Sequence, residues 1–360
     1  MQTVHQLVAG FRFGDAISNA AIQMRKVFRG WGCRSDILSR KSSIASELRD
    51  EGRDIADAAP ELGPDDVAVL HLSIGNPVNL AFRDLKCRKA IVYHNITPAK
   101  YFRLLNPLTA EDLDEGRRQL EMLAGAAELN LADSAYNASE LTAAGYRDVK
   151  VLQLPIDIDS FLRGGVDEHT KRLLGGGVYN VLFVGRWAPN KKIEDLLTVM
   201  YYLTKIEPNV RFVHVGTEAG AETYYALVRA HGKALGLTNA MALRGVSQDA
   251  LNTCYASAHA FLCMSEHEGF CAPLVEAMLH QVPVLSLGSS AIPETLGGAG
   301  VLFGQPPDFP LIAETVAEVL HNAKLREEII ARQNKRIEAF RNRDLDAEMR
   351  VLFAPLMTAK

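Results

Sequence analysis

Two glutamates with seven residues between them, Glu268 and Glu276, lie in the segment Ser265-Glu266-His267-Glu268-Gly269-Phe270-Cys271-Ala272-Pro273-Leu274-Val275-Glu276-Ala277-Met278. A carboxylate accepts hydrogen bonds from hydroxyl groups. Gly269 and Pro273 mark a loop that turns into a helix, since a proline in the first helical turn gives up only an N–H that has no partner there. The free N–H groups at such a start attract phosphate and other anions. Two carboxylates bracketing an anion site suit a ligand that carries both phosphates and hydroxyls. A second cluster, Gly185-Arg186-Trp187-Ala188-Pro189-Asn190-Lys191-Lys192, supplies cations. The planar fork of Arg186 and the point charge of Lys191 are matched to a diphosphate. In Ile91-Val92-Tyr93-His94-Asn95-Ile96-Thr97-Pro98, His94 follows an apolar run and is placed to bond a hydroxyl or organise a transition state.

These three clusters share one setting: each follows a short buried run. Such runs recur at 4–9, 67–74, 90–93, 149–154, 181–184, 210–215, 258–264, 282–287 and 300–303. Apolar runs of this length predict strands buried on both faces. Between the later runs lie helical patterns. Ile193, Leu196, Leu197, Met200, Leu203 and Ile206 recur at helical spacing, and Asp308 stands where a helix over 311–320 needs a cap. Strands alternating with helices predict parallel, doubly wound sheets. The length of 360 residues suits two cores. The glycines of 163–165 and 175–177 mark the change of domain. The expected organisation is therefore α/β, with two Rossmann-like domains over 1–165 and 178–342 and a helical segment over 343–360. In open parallel sheets, ligands bind at the carboxyl ends of the strands, where all three clusters fall. Asp157-Ile158-Asp159 reads as a turn at the linker, and 100–108 as a core-facing helix.

The E-G-F-x-x-P-x-x-E-A core around Glu268 and Glu276 resembles the family-four retaining glycosyltransferases of GT-B fold. The G-R-x-x-x-x-K element and the Y-H-N-I-T-P segment extend the likeness. The resemblance implies that Glu268 contacts donor sugar hydroxyls and Glu276 holds the ribose. It also implies that the amides of Gly269, Phe270, Cys271 and Ala272 face the sugar and diphosphate. Arg186 and Lys191 would bind the diphosphate, and His94 would lie beside the donor sugar across an interdomain cleft. The loop after the first strand contributes Gly14 to the phosphate, with Asp15 and Asn19 toward the acceptor. It lacks the family's usual double glycine. The loops carrying Gly216, Arg244 and Val246 would flank the base.

The implied activity is metal-independent, retaining transfer of a hexose from a nucleotide-diphosphate sugar, with no cofactor. GDP-mannose is placed ahead of UDP-glucose as donor, and the acceptor is a saccharide or lipid-linked saccharide of cell-surface glycan synthesis. A nucleotide-sugar-binding protein without turnover and a GT-B epimerase stand as alternatives. No D-x-D element occupies the first half to hold a metal-bound diphosphate, and no G-x-G-x-x-G follows a strand. The net charge of −4 gives no basic field for nucleic acid. Five cysteines without a C-x-x-C spacing predict neither a zinc site nor a disulfide framework. No apolar run is long enough to cross a bilayer, which leaves attachment at the inner membrane face open and suits a cytoplasmic protein.

Overall fold

In the computed structural model, which describes residues 1–12 and 14–358, the chain divides into two compact units. The first comprises Met1–Lys100, Leu108–Asp157 and the chain from Arg343 onward; the second comprises Tyr101–Pro107 and Ile158–Asn342.

The first unit is built on seven strands: β1 Val4–Val8, β2 Ile37–Ser39, β3 Gly52–Asp54, β4 Val67–Leu72, β5 Arg88–Tyr93, β6 Leu129–Ala132 and β7 Lys150–Val151. They pair in parallel in the order β3-β2-β1-β4-β5-β6-β7. β1 and β4 run in register from Val4 against Val67 to Val8 against His71. Every residue of β1 and β4 is buried, as helices on both faces of a parallel sheet require. The helix Leu345–Phe353 belongs here: Met349, Phe353 and Leu356 are buried against Val4, Phe28 and Trp31. The Phe28 and Phe353 rings meet edge to face at 5.1 Å, and Trp31 Nε1 donates to Asp346 at 2.7 Å.

The second unit has six strands: β8 Tyr179–Val184, β9 Val210–Val215, β10 Ala240–Leu243, β11 Ala260–Cys263, β12 Val284–Leu287 and β13 Val301–Phe303. Their order is β10-β9-β8-β11-β12-β13, again parallel. The helix Ile193–Ile206 buries Ile193, Leu196, Leu197, Met200 and Leu203 but leaves Ile206, its last residue, exposed. Burying each such side chain is worth roughly 1.5–3 kcal/mol. Asp308 caps the helix Phe309–His321, accepting from Leu311 N at 3.1 Å.

Three local expectations give way. Residues 158–165 fold with the second unit, because Gly165 N donates to Asp249 Oδ1 at 3.0 Å and Asn252 Nδ2 to Arg163 O at 3.1 Å. Ile158–Phe161 is a helical turn rather than part of a reverse turn. Over 100–108 there is no core-facing helix: a 3₁₀ turn at Ala99–Tyr101 gives way to turns, and Leu104 and Leu108 are solvent-exposed.

Candidate functional site

In the second sheet the chain leaves β8 toward β9 and β10 on one side, and toward β11 to β13 on the other. Beyond the carboxyl ends of β8 and β11, neighbouring loops therefore diverge and open a crevice. The Arg186–Lys191 segment follows β8, and the Glu268 loop follows β11. The two loops are stitched together: Glu266 N donates to Asn190 O at 2.9 Å, and Asn190 Nδ2 to His267 O at 3.0 Å. From the far side Ser290 Oγ accepts from Glu268 N at 2.7 Å, and the Ser289 and Thr295 hydroxyls bond the carbonyls of Ser265 and Phe270.

This scaffold brings Lys191 and Glu268 into direct contact, with Nζ 2.6 and 2.7 Å from the two carboxylate oxygens. Their side chains are only 20% and 8% exposed. Burial works against the Lys191 charge, but the Glu268 carboxylate outweighs it and holds the ammonium above its ordinary value. Arg186, by contrast, is exposed and makes no ion pair among the described residues. Lys192 is in the left-handed region at φ +52° and bonds Glu194 at 3.0 Å, so it serves the start of its own helix.

The helix Ala272–Leu279 starts at Cys271, itself at φ +68°. Glu276 lies one turn in. Burial pushes its carboxyl up to about 7, and the Tyr255 hydroxyl is the neighbour that favours the charge. That hydroxyl is buried without a hydrogen bond of good geometry. Ligand hydroxyls can supply further hydrogen bonds to this carboxyl. Phe270 is a core residue, its ring 6.1 Å from Phe340. Only the backbone of Phe270 is therefore left to act toward a ligand.

Beside β8, Gly216 approaches Gly185 so closely that a Cβ would stand 1.9 Å from the Gly185 oxygen. Buried Trp187 packs against His214 and, edge to face at 4.7 Å, against Tyr225. Arg244 lies 4.7 Å over the Tyr225 ring and pairs with Glu218; Val246 is half-buried nearby in sequence. Arg244, one of the residues expected to flank the base, thus belongs to an aromatic and guanidinium stack. Its members Trp187 and Tyr225 carry no spacing signal in the sequence.

In the first unit, Gly14 takes φ +71° and Asp15 caps the helix Ala16–Gly30, accepting from Ser18 N and Ser18 Oγ, both at 2.8 Å. Asn19 is exposed on that helix. Phe13 lies outside the described residues. His94 follows β5 and is buried in a polar chain that spans the neighbouring strands β1, β4, β5 and β6. Its Nδ1 meets Asp133 Oδ2 at 3.1 Å and its Nε2 meets His71 Nδ1 at 2.8 Å. His71 Nε2 meets Gln6 Oε1 at 3.0 Å, and Gln6 Nε2 donates to Ala21 O at 2.8 Å. The polarity of the chain follows from its end. The Gln6 oxygen needs a hydrogen from His71 Nε2, which leaves His71 Nδ1 as the acceptor toward His94 Nε2. Burial, and then His94 beside it, hold His71 well below its ordinary value, as this assignment requires. Neither ring nitrogen of His94 is left for a sugar hydroxyl. The strand end positions His94, and in the unliganded chain its neighbours occupy both ring nitrogens. Gln6, His71 and Asp133 went unnoticed because each reads as an isolated polar residue at a strand.

Comparisons with known proteins agree with this architecture. Residues 167–336 match the family model "Glycosyl transferases group 1". The chain is 29% identical over 153 residues to O-antigen chain mannosyltransferase B of Escherichia coli, covering 42% of this chain and 39% of that protein. It is 32% identical over 117 residues to GDP-mannose:cellobiosyl-diphosphopolyprenol alpha-mannosyltransferase of Xanthomonas oryzae pv. oryzae (strain PXO99A), covering 29% and 28%. The matches thus span well under half the length of these relatives. Among solved structures, HepE of Anabaena in complex with UDP-glucose superposes with a TM-score of 0.75 at 16% identity over 99% of both chains. Sucrose-phosphate synthase of Thermosynechococcus elongatus does so with 0.73 at 15% over 99% of both. At such identities these likenesses establish the GT-B fold. No helix among the described residues is long and apolar enough to cross a membrane.

Proposed function

We propose, from the premise that the chain has the GT-B fold and that residues 167–336 form a group 1 glycosyltransferase domain, that it transfers a hexose from a nucleotide-diphosphate sugar with retention of configuration and without a metal. The observation that carries this reading is the meeting of Lys191 and Glu268 at the strand crossover of the second sheet, with the Glu276 carboxyl, raised by burial, one turn into the adjoining helix. Lys191 and the unpaired Arg186 neutralise the diphosphate and the charge that grows on it as the glycosidic bond breaks. Glu268 accepts from sugar hydroxyls and Glu276 from the ribose. Gly269, Cys271 and Ala272 lend backbone amides, and Gly14 lends a side-chain-free approach. Gly216, Arg244 and Val246 flank the base. His94 helps organise the transition state through the shape of its loop. With no free protein base in this set, the departing diphosphate takes the acceptor proton.

Two mannosyltransferases among the relatives favour mannose from GDP-mannose over glucose from UDP-glucose, and one of them is named for a polyprenol-linked substrate. A saccharide or lipid-linked saccharide is accordingly the proposed acceptor, met by a cytoplasmic protein at the membrane face. The test is a thermal-shift panel of GDP-mannose and UDP-glucose without added metal, on wild type, Glu276→Ala and Lys191→Ala. A donor at a hundred times its Kd stabilises the wild type by about 2.7 kcal/mol. Loss of that shift in both variants supports the reading; equal shifts in all three proteins refute it.

A further inference from the structure

Cys263 ends β11, and Cys271 opens the helix that begins at Ala272, eight positions later. The intervening loop doubles back. The two thiols and the Glu268 carboxylate then bring one donor atom each within 4.8 Å of one another. Cys263 is fully buried, and Glu268 and Cys271 are 8% and 9% exposed. Each is anchored: Cys263 Sγ lies 3.3 Å from Ser265 Oγ, Ser290 holds the Glu268 amide, and the left-handed backbone of Cys271 fixes its side-chain direction.

Two sulfurs and a carboxylate oxygen are a donor set that zinc and related thiophilic divalent ions accept. A tetrahedral zinc ion with bonds of about 2.3 Å to sulfur needs its sulfurs about 3.8 Å apart, within the span observed here. A disulfide, with its bond of about 2.0 Å, needs a much closer approach and leaves the carboxylate without a part. The charges also balance. Two thiolates and one carboxylate carry −3, a divalent ion brings +2, and the Lys191 ammonium 2.6 Å from Glu268 supplies the last +1. A neutral cluster avoids most of the cost of burying an isolated ion.

We propose that Cys263, Glu268 and Cys271 form a binding site for a thiophilic divalent cation of the zinc class. The three protein ligands leave the fourth position to water. Binding displaces one proton from each thiol to solvent, and Glu268 gives one oxygen to the ion while the other stays on Lys191. Since Glu268 is the proposed sugar-binding carboxylate, an occupied site would block transfer. That consequence rests on the proposed function, whereas the binding does not.

The test is cadmium titration of the reduced, chelator-treated full chain, followed by the ultraviolet thiolate-to-metal charge-transfer band. The expected result is saturation at one equivalent, with two protons released and zinc competing. Cys263→Ser and Cys271→Ser each lose the band, while Cys87→Ser, in the other unit, keeps it. Zinc-edge X-ray absorption on the wild type, which needs no variant, should report two sulfur neighbours. A shell without sulfur overturns the proposal, as does a band that survives both serine substitutions. So does a reduced wild type that takes up no cadmium but forms a Cys263–Cys271 disulfide in air. Binding without loss of transfer would uphold the site and count against Glu268 as the sugar ligand.

Discussion

Replacing Glu276 by glutamine should stabilise the unliganded protein, and more so as the pH rises. Burial lifts this carboxyl from its ordinary 4.5 to about 7. The folded state therefore holds its proton over a range in which the unfolded chain has released it. Stability is lost as pH climbs from about 4.5 to 7, and the loss is complete above both values. The separation corresponds to about 3 kcal/mol at pH 8 and less than about 1 kcal/mol at pH 5. Glutamine keeps the shape of the protonated acid and has no proton to lose. The stability gap between Glu276→Gln and wild type should widen by about 2.5 kcal/mol between those two pH values. For a unit of this size that is about 5–10 °C in Tm. The chain has two tryptophans, Trp31 in the first unit and Trp187 in the second. Urea unfolding followed by Trp187 fluorescence in a Trp31→Phe background therefore reports on the second unit alone. On the proposed assignment of Glu276 to the ribose, the stabilised variant should bind donor more weakly, because it offers a neutral amide in place of a carboxylate. A gap that stays constant between pH 5 and 8 would refute the argument, and a wild type more stable at pH 8 than at pH 5 relative to the variant would reverse its sign.

Two further substitutions probe the same crevice. Lys191→Ala leaves Glu268 buried without its cation and should cost about 3 kcal/mol in urea denaturation, most of which the double variant Lys191→Ala, Glu268→Gln recovers. Full additivity of the two single changes would show that the pair is not coupled. Gly216→Ala drives a methyl to within 1.9 Å of the Gly185 oxygen and should destabilise the second unit by about 1–3 kcal/mol through a forced separation of the two loops, visible as a lower urea midpoint. A midpoint equal to wild type would mean the loops part without cost.

Much of this architecture is legible in the sequence because it rests on local pattern. The apolar runs at 4–9, 67–74 and 210–215 hold β1, β4 and β9, and the strand-to-helix turns at Lys191 and Glu268 announce themselves through glycine, proline and charge. What the sequence hides is convergence. Cys263 and Cys271 look unrelated at a spacing of eight, until the loop between them reverses. His94 looks available until β4 and β6 bring His71 and Asp133 to both of its nitrogens. Tyr255 reads as a core aromatic, and only the fold sets its hydroxyl near Glu276. The membership of Ile158–Phe161 in the second unit, and of Leu345–Phe353 in the first, depends on long-range burial that periodicity does not address.

The contact between Lys191 and Glu268 has a consequence for selectivity. In the unliganded protein the lysine already has a partner, two oxygens at 2.6 and 2.7 Å in a nearly dry setting. A stray chloride or a single phosphate gains little there, because it takes the cation away and strands the carboxylate. A molecule that brings negative oxygens for the lysine and hydroxyls for the glutamate satisfies both halves in one exchange. If the proposed donor site is right, the pair acts as a coincidence detector, admitting a ligand by the joint presence of two chemistries that most small anions in a cell do not combine.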